Sequence, residues 1–227
     1  LRSGVADLEG CPRITAEMIL KPAGLFHSHK AIVKLFELGR ANQKPAKSGK
    51  IRIAGAIFDA DGDRFFRLEY DPFQDILWVL SGDETAILQA RHLVSRFPGK
   101  HSLYINTVES DLNASASAKA MGLTPQLTAV GDKWILLKIR MALLEQKLLQ
   151  AELSPKKYED IKNKFATVKK NGVTRVATLQ NLEASLPARQ IATKTNSTVL
   201  AVGSEETGHN ITTAFITLPN QKELTIY

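Results

Sequence analysis

The chain has 227 residues, of which 44% are apolar and 23% are charged, and this balance predicts a globular protein with one large domain or two small ones. The sequence contains neither an apolar run long enough to span a membrane nor a signal segment, and its single cysteine excludes internal disulfides. We therefore expect a cytoplasmic protein without membrane contact. Because the chain opens on Leu1 rather than Met, we also expect a fragment or a processed product.

The formal net charge of +7 is concentrated in one segment. Residues 141–195 contain 10 Lys or Arg and 5 Asp or Glu, a balance of +5, which leaves only +2 for the rest of the chain. Aromatic residues do not alternate with the basic ones there as they do on surfaces that bind nucleic acid. The segment is therefore interpreted as a solvated basic helical face, and no nucleic-acid partner is expected.

The first 50 residues carry little chemical signal. Residues 31–38 predict a short helix, because apolar side chains fall on one side and Gly39 provides a stop. The following segment, 51–58, is almost continuously apolar, so it is predicted to be a strand buried on both faces.

That strand leads into residues 58–64, which have the sequence FDADGDR. Asp59, Asp61 and Asp63 stand at alternate positions, and such carboxylates suit Mg²⁺ or Ca²⁺ because both ions prefer oxygen ligands. A calcium-binding EF-hand is excluded, since Tyr70 stands where that motif needs a glutamate. Taken alone, the segment is better explained as a solvated turn whose aspartates cap their own backbone.

Strands and helices alternate further along the chain. After a polar return at 65–72, the pattern predicts a buried strand at 76–80, a helix capped by Asp83 and ended by Pro98-Gly99, a strand at 101–108, a helix at 113–121, and strands at 123–130 and 198–202. Such alternation is typical of parallel strands joined by right-handed crossovers. The predicted fold class is α/β, with two α/β/α units whose sheets are mixed but mainly parallel.

Two helices interrupt this alternation. Apolar residues at helical spacing mark a long helix after Trp134, and Ser154-Pro155 is typical of the start of a second helix. We therefore predict that residues 141–195 form a helical hairpin with a tail, inserted into the second unit. The predicted domains are residues 1–75 and residues 76–227.

A second polar segment, GSEETGH at 203–209, follows the last predicted strand. Glu205, Thr207 and His209 offer a carboxylate, a hydroxyl and an imidazole, which are groups that hydrogen-bond sugar hydroxyls. Taken alone, this segment is also better explained as a polar turn.

Four segments resemble, in the same order, motifs of the α-D-phosphohexomutase superfamily, which includes phosphomannomutases, phosphoglucomutases and phosphoglucosamine mutases. They are FDADGDR at 58–64, GDE at 82–84, TAVGDK at 128–133 and SEETGH at 204–209. They are similar to that superfamily's metal loop, a helix start, a T-x-V-G-x-K-like segment and the sugar loop. The resemblance covers residues 50–211 and implies a metal-loop domain followed by a sugar-loop domain.

The resemblance implies an intramolecular phosphotransferase that interconverts hexose 1-phosphate and hexose 6-phosphate through a phosphoserine and Mg²⁺. Its implied ligands are mannose or glucose phosphates and a hexose bisphosphate. Mg²⁺ would lie on Asp59, Asp61 and Asp63, with a phosphate steadied by Arg64. The positions implied in binding the sugar or its phosphate are Glu205, Thr207, His209 and Lys133.

The chain also departs from the superfamily pattern. A T-A-S-H-N-P-like serine loop is missing from the sequence, since Ser28-His29 shares only two of its letters, and an R-x-S-G-T-E-P-like phosphate loop is missing too. No catalytic serine is therefore identified, and the isolated chain is predicted to be inactive. Thr207 replaces the usual serine of the sugar loop but keeps the hydroxyl.

Two other functions remain open at this point. A non-catalytic module would keep the fold and use the basic insertion at 141–195 for interaction or assembly. A metal-dependent phosphatase with Asp59 as its nucleophile is a weaker alternative, because it would leave the polar segment at 203–209 unexplained. Neither the preferred hexose nor the oligomeric state follows from the sequence.

Overall fold

The computed structural model describes residues 6–150, 153–171, 199–217, 219 and 223–227. These residues form two four-stranded sheets with helices packed on them, together with a small two-stranded sheet. The α/β fold class predicted from the sequence is confirmed. Among the helices of the described ranges, none has both the length and the apolar content needed to cross a bilayer.

The first sheet is antiparallel throughout, in the order β1-β4-β3-β2. Its strands are β1 (Arg13–Thr15), β2 (Ala54–Phe58), β3 (Phe65–Asp71) and β4 (Ile76–Leu80), and the helices that precede β2 are α1 (Ala16–Leu20), α2 (Lys30–Ala41) and α3 (Gln43–Lys47). Alternate residues of β3, including Phe66 and Leu68, are buried and share a core with Phe36 of α2. The period-2 alternation of β3 thus packs one face of the sheet against the helices.

Two sequence predictions for this sheet are wrong. The strand predicted as buried on both faces, β2, is an edge strand in which half-buried and exposed residues alternate, and Phe58 at its end is 61% exposed. The segment predicted as a polar return is strand β3, the second strand of an antiparallel hairpin. An apolar run cannot distinguish a central strand from an edge strand, and the small residues Ala54–Ala56 left the difference open.

The second sheet has the order β6-β5-β7-β8, with β5 parallel to β6 and β7, and β8 antiparallel to β7. Its strands are β5 (Ser102–Thr107), β6 (Thr124–Thr128), β7 (Leu200–Ser204) and β8 (Asn210–Thr212), its helices are α4 (Gly82–Arg96), α5 (Leu112–Ala120), α6 (Asp132–Gln150) and α7 (Pro155–Asn171), and β9 (Ala214–Thr217) pairs with β10 (Glu223–Ile226). Helices α4 and α5 cover one face, and α6 covers the other through Ile135 and Ile139. This three-layer arrangement buries all of β5, as expected for a central parallel strand.

The start of α4 corrects another prediction. Ser81, not Asp83, is the N-cap residue, because its side chain accepts a hydrogen bond from the backbone N–H of Glu84 while the Glu84 carboxylate accepts one from the backbone N–H of Ser81. This reciprocal capping box satisfies two donors that the first helical turn leaves free. Asp83 is therefore the second residue of the helix, where it is 2% exposed.

The described residues of the predicted insertion lie mainly in helices α6 and α7. The long helix predicted after Trp134 is α6, which begins at Asp132, and its first turns cover the sheet, so residue 141 lies within this helix. On α7, Lys162 and Lys164 form ion pairs with Glu159 and Asp160, which neutralises part of the exposed positive charge. Residues 172–195 of the predicted insertion lie outside the described residues.

Candidate functional site

The acidic loop between β2 and β3 closes on the Asp59 carboxylate. Its Oδ1 accepts hydrogen bonds from the backbone N–H groups of Gly62, at 3.0 Å, and of Arg64, at 3.2 Å. Gly62 has φ 78°, a left-handed conformation that favours glycine. Burial acts to raise the pKa of Asp59, but the hydrogen bonds that this carboxylate makes, with the Arg64 N–H first among them, together lower its pKa below the ordinary value.

Three carboxylates of this loop point to a common position. Each of Asp59, Asp61 and Asp63 offers one oxygen, and these three oxygens lie within 4.8 Å of one another. Asp59 is half-buried, while Asp61 and Asp63 are exposed. The structure therefore brings together the three residues that the sequence selected as metal ligands, although the aspartates also shape the turn.

Arg64 is turned toward the N-terminal segment. Its guanidinium donates a hydrogen bond to Glu9 Oε1 at 2.8 Å, and its Nε lies 3.9 Å from Asp59 Oδ2. Its side chain is about one-third exposed. Two carboxylates thus hold Arg64 beside the acidic loop, and the sequence did not predict the contact with Glu9.

The loop between β7 and β8 resembles the sugar loop of the superfamily and is called the sugar-like loop below. It is organised around Glu205, which is 5% exposed. Its Oε1 accepts a hydrogen bond from the backbone N–H of Gly131, and its Oε2 lies 2.6 Å from His209 Nδ1 and 3.4 Å from the Thr207 hydroxyl. The backbone of this loop turns at Gly208, whose φ of 102° is a left-handed conformation that favours glycine. The three predicted sugar-binding side chains therefore contact one another.

His209 links the two loops. Its Nε2 lies 3.2 Å from Asp63 Oδ2, across 146 residues of sequence. The backbones also meet, since Arg64 and His209 form an antiparallel bridge and the N–H of Phe65 donates to the carbonyl of Gly208 at 3.2 Å. The end of β2 in the first sheet and the end of β7 in the second sheet therefore present one continuous polar surface.

Lys133 lies in the first turn of α6. Its ammonium lies 5.3 Å from the centre of the Trp134 ring, and its side chain is exposed. Gly131, two residues earlier, contacts Glu205 through its backbone. The structure thus places the start of α6 beside the sugar-like loop, with the Lys133 ammonium resting against Trp134.

Gly82 and Asp83, at the start of α4, pack against the sugar-like loop and support it, a role that the sequence did not predict. A Cβ on Gly82 would overlap the carbonyl oxygen of Glu205, and the Gly82 N–H donates to the carbonyl of Glu206 at 3.3 Å. The buried Asp83 carboxylate accepts hydrogen bonds from Ser204 Oγ at 2.6 Å and from the backbone N–H of Asp111 at 2.8 Å. No signal in the sequence marks this role, because the first turn of α4, GDET, is polar and gives no sign that Asp83 is buried.

Buried charge also affects the residue beside Glu205. Burial raises the pKa of Glu206, and the neighbouring Asp83 charge raises it further. Two donors, Ser204 Oγ and the backbone N–H of Asp111, hold the Asp83 carboxylate beside Glu206. The glutamates of the loop thus have separate surroundings, since Glu205 contacts His209 and Glu206 lies toward α4.

No protein-family model matches the chain. Part of the chain is similar to phosphoglucosamine mutases, among them those of Bacillus cereus (strain AH187) and Bacillus anthracis (strain A0248). Each is 29% identical over 82 residues, which is 36% of this chain and 17% of the relative. This similarity supports the resemblance to phosphohexomutases at the level of the superfamily.

Proposed function

We propose that this chain is the metal-loop and sugar-loop part of a phosphohexomutase, an enzyme that interconverts hexose 1-phosphate and hexose 6-phosphate through a phosphoserine and Mg²⁺. The contact between His209 and Asp63 is the main support for this proposal, because it joins the two predicted loops into one polar surface. A solvated turn and a separate polar turn would not need to meet. The similarity to phosphoglucosamine mutases supports the same class of reaction.

The acidic loop fits a magnesium ion. Mg²⁺ keeps neighbouring oxygen ligands about 2.9 Å apart and opposite ones about 4.2 Å apart. The three aspartate oxygens, which lie within 4.8 Å of one another, need only a small contraction to reach those spacings. Asp61 and Asp63 are exposed, which leaves room for that movement, although Asp63 Oδ2 also contacts His209 Nε2. When bound, the ion would neutralise charge on a transferring phosphoryl group and help to orient it.

The sugar-like loop retains capacity for a hydroxyl group. A carboxylate offers about four lone-pair positions. Gly131, His209 and Thr207 use three of those on Glu205, which leaves one to accept from a sugar hydroxyl. Because the Thr207 hydroxyl donates its one proton to Glu205, its oxygen can still accept a hydrogen bond from a sugar hydroxyl. These groups suit glucose and mannose phosphates equally.

Phosphate groups would be held by cationic side chains at the rim. Arg64 offers five N–H donors, of which Glu9 takes one, and its planar fork suits a phosphate. Lys133 is exposed at the start of α6, beside the sugar-like loop. Positioning and charge stabilisation of this kind supply most of the catalysis in phosphoryl transfer. The phosphoserine would come from outside this chain.

Binding of glucose 1,6-bisphosphate to the chain in the presence of Mg²⁺, measured by calorimetry, tests this proposal. Glu205→Gln removes a carboxylate that accepts from the sugar, and we expect it to weaken binding about tenfold. Glu37→Gln, on an exposed face of α2, is the matched control and should leave binding unchanged. Equal affinities for the two variants, or no binding by the parent chain, would contradict the proposed sugar site.

A coupled assay tests the missing serine separately. We expect no turnover of glucose 1-phosphate or mannose 1-phosphate by the chain alone, even with the bisphosphate as primer, because no serine loop is identified in its sequence. Turnover by the chain alone would show that a nucleophile is present and would overturn the assignment of the missing part.

A further inference from the structure

Strand β2 forms one edge of the first sheet, and among the described strands it pairs only with β3. On that side, the N–H of Tyr70 donates to the carbonyl of Ile53, just before β2, at 2.9 Å. Because the backbone groups of successive residues in a strand point to opposite sides, the odd-numbered residues of β2 face β3. The residues whose N–H and C=O groups point to the open edge are therefore Ala54, Ala56 and Phe58.

This edge lacks the features that usually prevent strands of different molecules from pairing. Natural edge strands carry charged residues, prolines or bulges, or a helix or loop covers them. The sequence of β2, AGAIF, has neither a charge nor a proline, and its register with β3 runs without a bulge. Ala54, Ala56 and Phe58 are exposed, so another chain can reach their backbone groups. The strand is therefore a template for one further strand.

Strand β2 is complementary to a second copy of itself. When two copies run antiparallel with Ala56 on the two-fold axis, Ala54 of each faces Phe58 of the other, and all the outward backbone groups pair. The same alignment places Ile57 opposite Gly55 of the other copy. Every large side chain then lies beside a small one, so the strands approach without a clash. Shifting one copy by two residues would leave outward groups at one end of the strand unpaired.

Charges at the two ends of β2 favour the same antiparallel alignment. Lys50 and Arg52 precede the strand, whereas the acidic loop follows it. Lys50 is exposed, and the Arg52 side chain keeps 84% of its exposure although it donates to Glu69 at 3.1 Å. Antiparallel pairing brings the basic end of one copy beside the acidic loop of the other, where opposite charges attract. Parallel pairing would bring like charges together.

We propose that β2 is a dimerisation surface, at which two copies of this chain pair antiparallel about a two-fold axis through Ala56. The first sheets of the two copies then form one continuous sheet, and Arg52 of each copy lies beside the acidic loop of the other. Because strand pairing buries less surface than a standard interface of about 1,600 Å², we expect a weak dimer with a dissociation constant on the order of 10 µM. The dimer does not depend on the proposed mutase reaction.

Sedimentation equilibrium of the full chain, at concentrations below and above about 10 µM, tests the proposal. We expect the average mass to rise from that of one chain toward that of two. Ala56→Pro removes the outward N–H on the axis but keeps the bonds to β3, so it should weaken the dimer about tenfold or more. Ala56→Ser keeps the N–H and is the matched control. A single chain at all concentrations, or equal dimerisation by the two variants, would overturn the proposal.

A charge variant tests the alignment of the strand ends. Arg52→Glu places a carboxylate beside the acidic loop of the other copy, so we expect about tenfold weaker dimerisation at low salt. Arg13→Glu is the control, because Arg13 is exposed on β1, at the opposite edge of the same sheet. An equal effect of the two variants would contradict the antiparallel alignment.

Cysteine cross-linking tests the register and does not require the proline variant to fold. In a Cys11→Ser background, Ala56→Cys places two thiols opposite each other on the axis, with Cα atoms about 5.5 Å apart, which suits a disulfide. Ala54→Cys is also exposed but places its two thiols roughly 13 Å apart along the strands. We expect mild oxidation to yield a covalent dimer from Ala56→Cys alone. Equal cross-linking of both variants, or of neither, would overturn the proposal.

Discussion

At the first turn of α4, Gly82 leaves no room for a side chain, because a Cβ there would overlap the carbonyl oxygen of Glu205. Gly82→Ala must therefore displace either the helix or the sugar-like loop, both of which are tightly packed. We expect a loss of about 1–3 kcal/mol in the free energy of unfolding, typical of overpacking, and a loss of the contact between His209 and Asp63.

Chemical denaturation measures the first effect, and the nuclear magnetic resonance signals of the His209 ring report the second. Gly55→Ala is a suitable control, because the nearest neighbour of its Cβ would be the end of the flexible Leu35 side chain, at 3.0 Å. We expect that control to change stability much less. Equal stability of Gly82→Ala and the parent chain would show that the loop does not rest on this glycine.

Asp75 provides a pH-dependent contribution to stability at the residue scale. Its carboxylate accepts hydrogen bonds from Arg40 Nε at 2.9 Å and from the Tyr70 hydroxyl at 2.8 Å. The Arg40 guanidinium is the main cause that lowers the pKa of Asp75 below its ordinary value of 3.8, and the Tyr70 hydroxyl also lowers it. Stability from this carboxylate is therefore fully present above pH 3.8 and is lost as the pH falls through the lower pKa of the folded state.

Asp75→Asn tests this contribution, and asparagine tolerates the left-handed backbone at this position, where φ is 56°. We expect the variant to lose about 1–2 kcal/mol of unfolding free energy at neutral pH, since a charge-assisted pair with Arg40 is lost. The difference from the parent chain should shrink in denaturation experiments below pH 3.8. A difference that stays constant down to the acid limit of folding would contradict this account.

At the scale of elements, sequence patterns located most helices and strands but did not show which strands pair with one another. The helix at α5 and the strand at β5 were predicted within one or two residues, because Gly122 and buried apolar runs mark them clearly. Strand β3 was missed, although its alternating sequence FFRLEYD has the period of a half-buried strand. Its charged residues suggested a loop, whereas the antiparallel pairing with β2 and β4 leaves one face partly exposed.

The start of helix α4 shows a similar limit of prediction from sequence. Asp83 was predicted as the cap of α4 from its residue type, but the capping box uses Ser81 and Glu84, which fit the S-x-x-E pattern. The difference matters for the site, because a cap would be exposed while the second helical residue is buried against Ser204. Only the packing of α4 against β7 reveals that contact, and sequence spacing contains no information about it.

For the molecule as a whole, the candidate site arises where the two sheets meet. The sequence selected Asp63, Glu205, Thr207 and His209 from two separate segments, and the structure brings all of them into contact. Their residue types and order were sufficient to select them. The support from Gly82 and Asp83 was not predictable, because it depends on how α4 packs behind the sugar-like loop.

Metal binding links the acidic loop to the stability of the whole chain. Asp59, Asp61 and Asp63 supply only part of an octahedral shell, so we expect Mg²⁺ to bind weakly, with water at the remaining positions. At a concentration about ten times the dissociation constant, Mg²⁺ should add about 1.4 kcal/mol to the free energy of unfolding. Asp61→Asn should remove most of this gain, whereas Asp160→Asn, on α7, should retain it.

Thermal denaturation with and without Mg²⁺ measures the gain, and calorimetric titration measures the affinity. Because the acidic loop also contacts His209, ordering of Asp63 by the metal should alter the His209 resonances in the parent chain. Tight binding of Mg²⁺ by the chain alone would contradict this account, since it would require a complete set of ligands without a phosphoserine. The same gain in the Asp61→Asn variant would locate the bound metal elsewhere in the molecule.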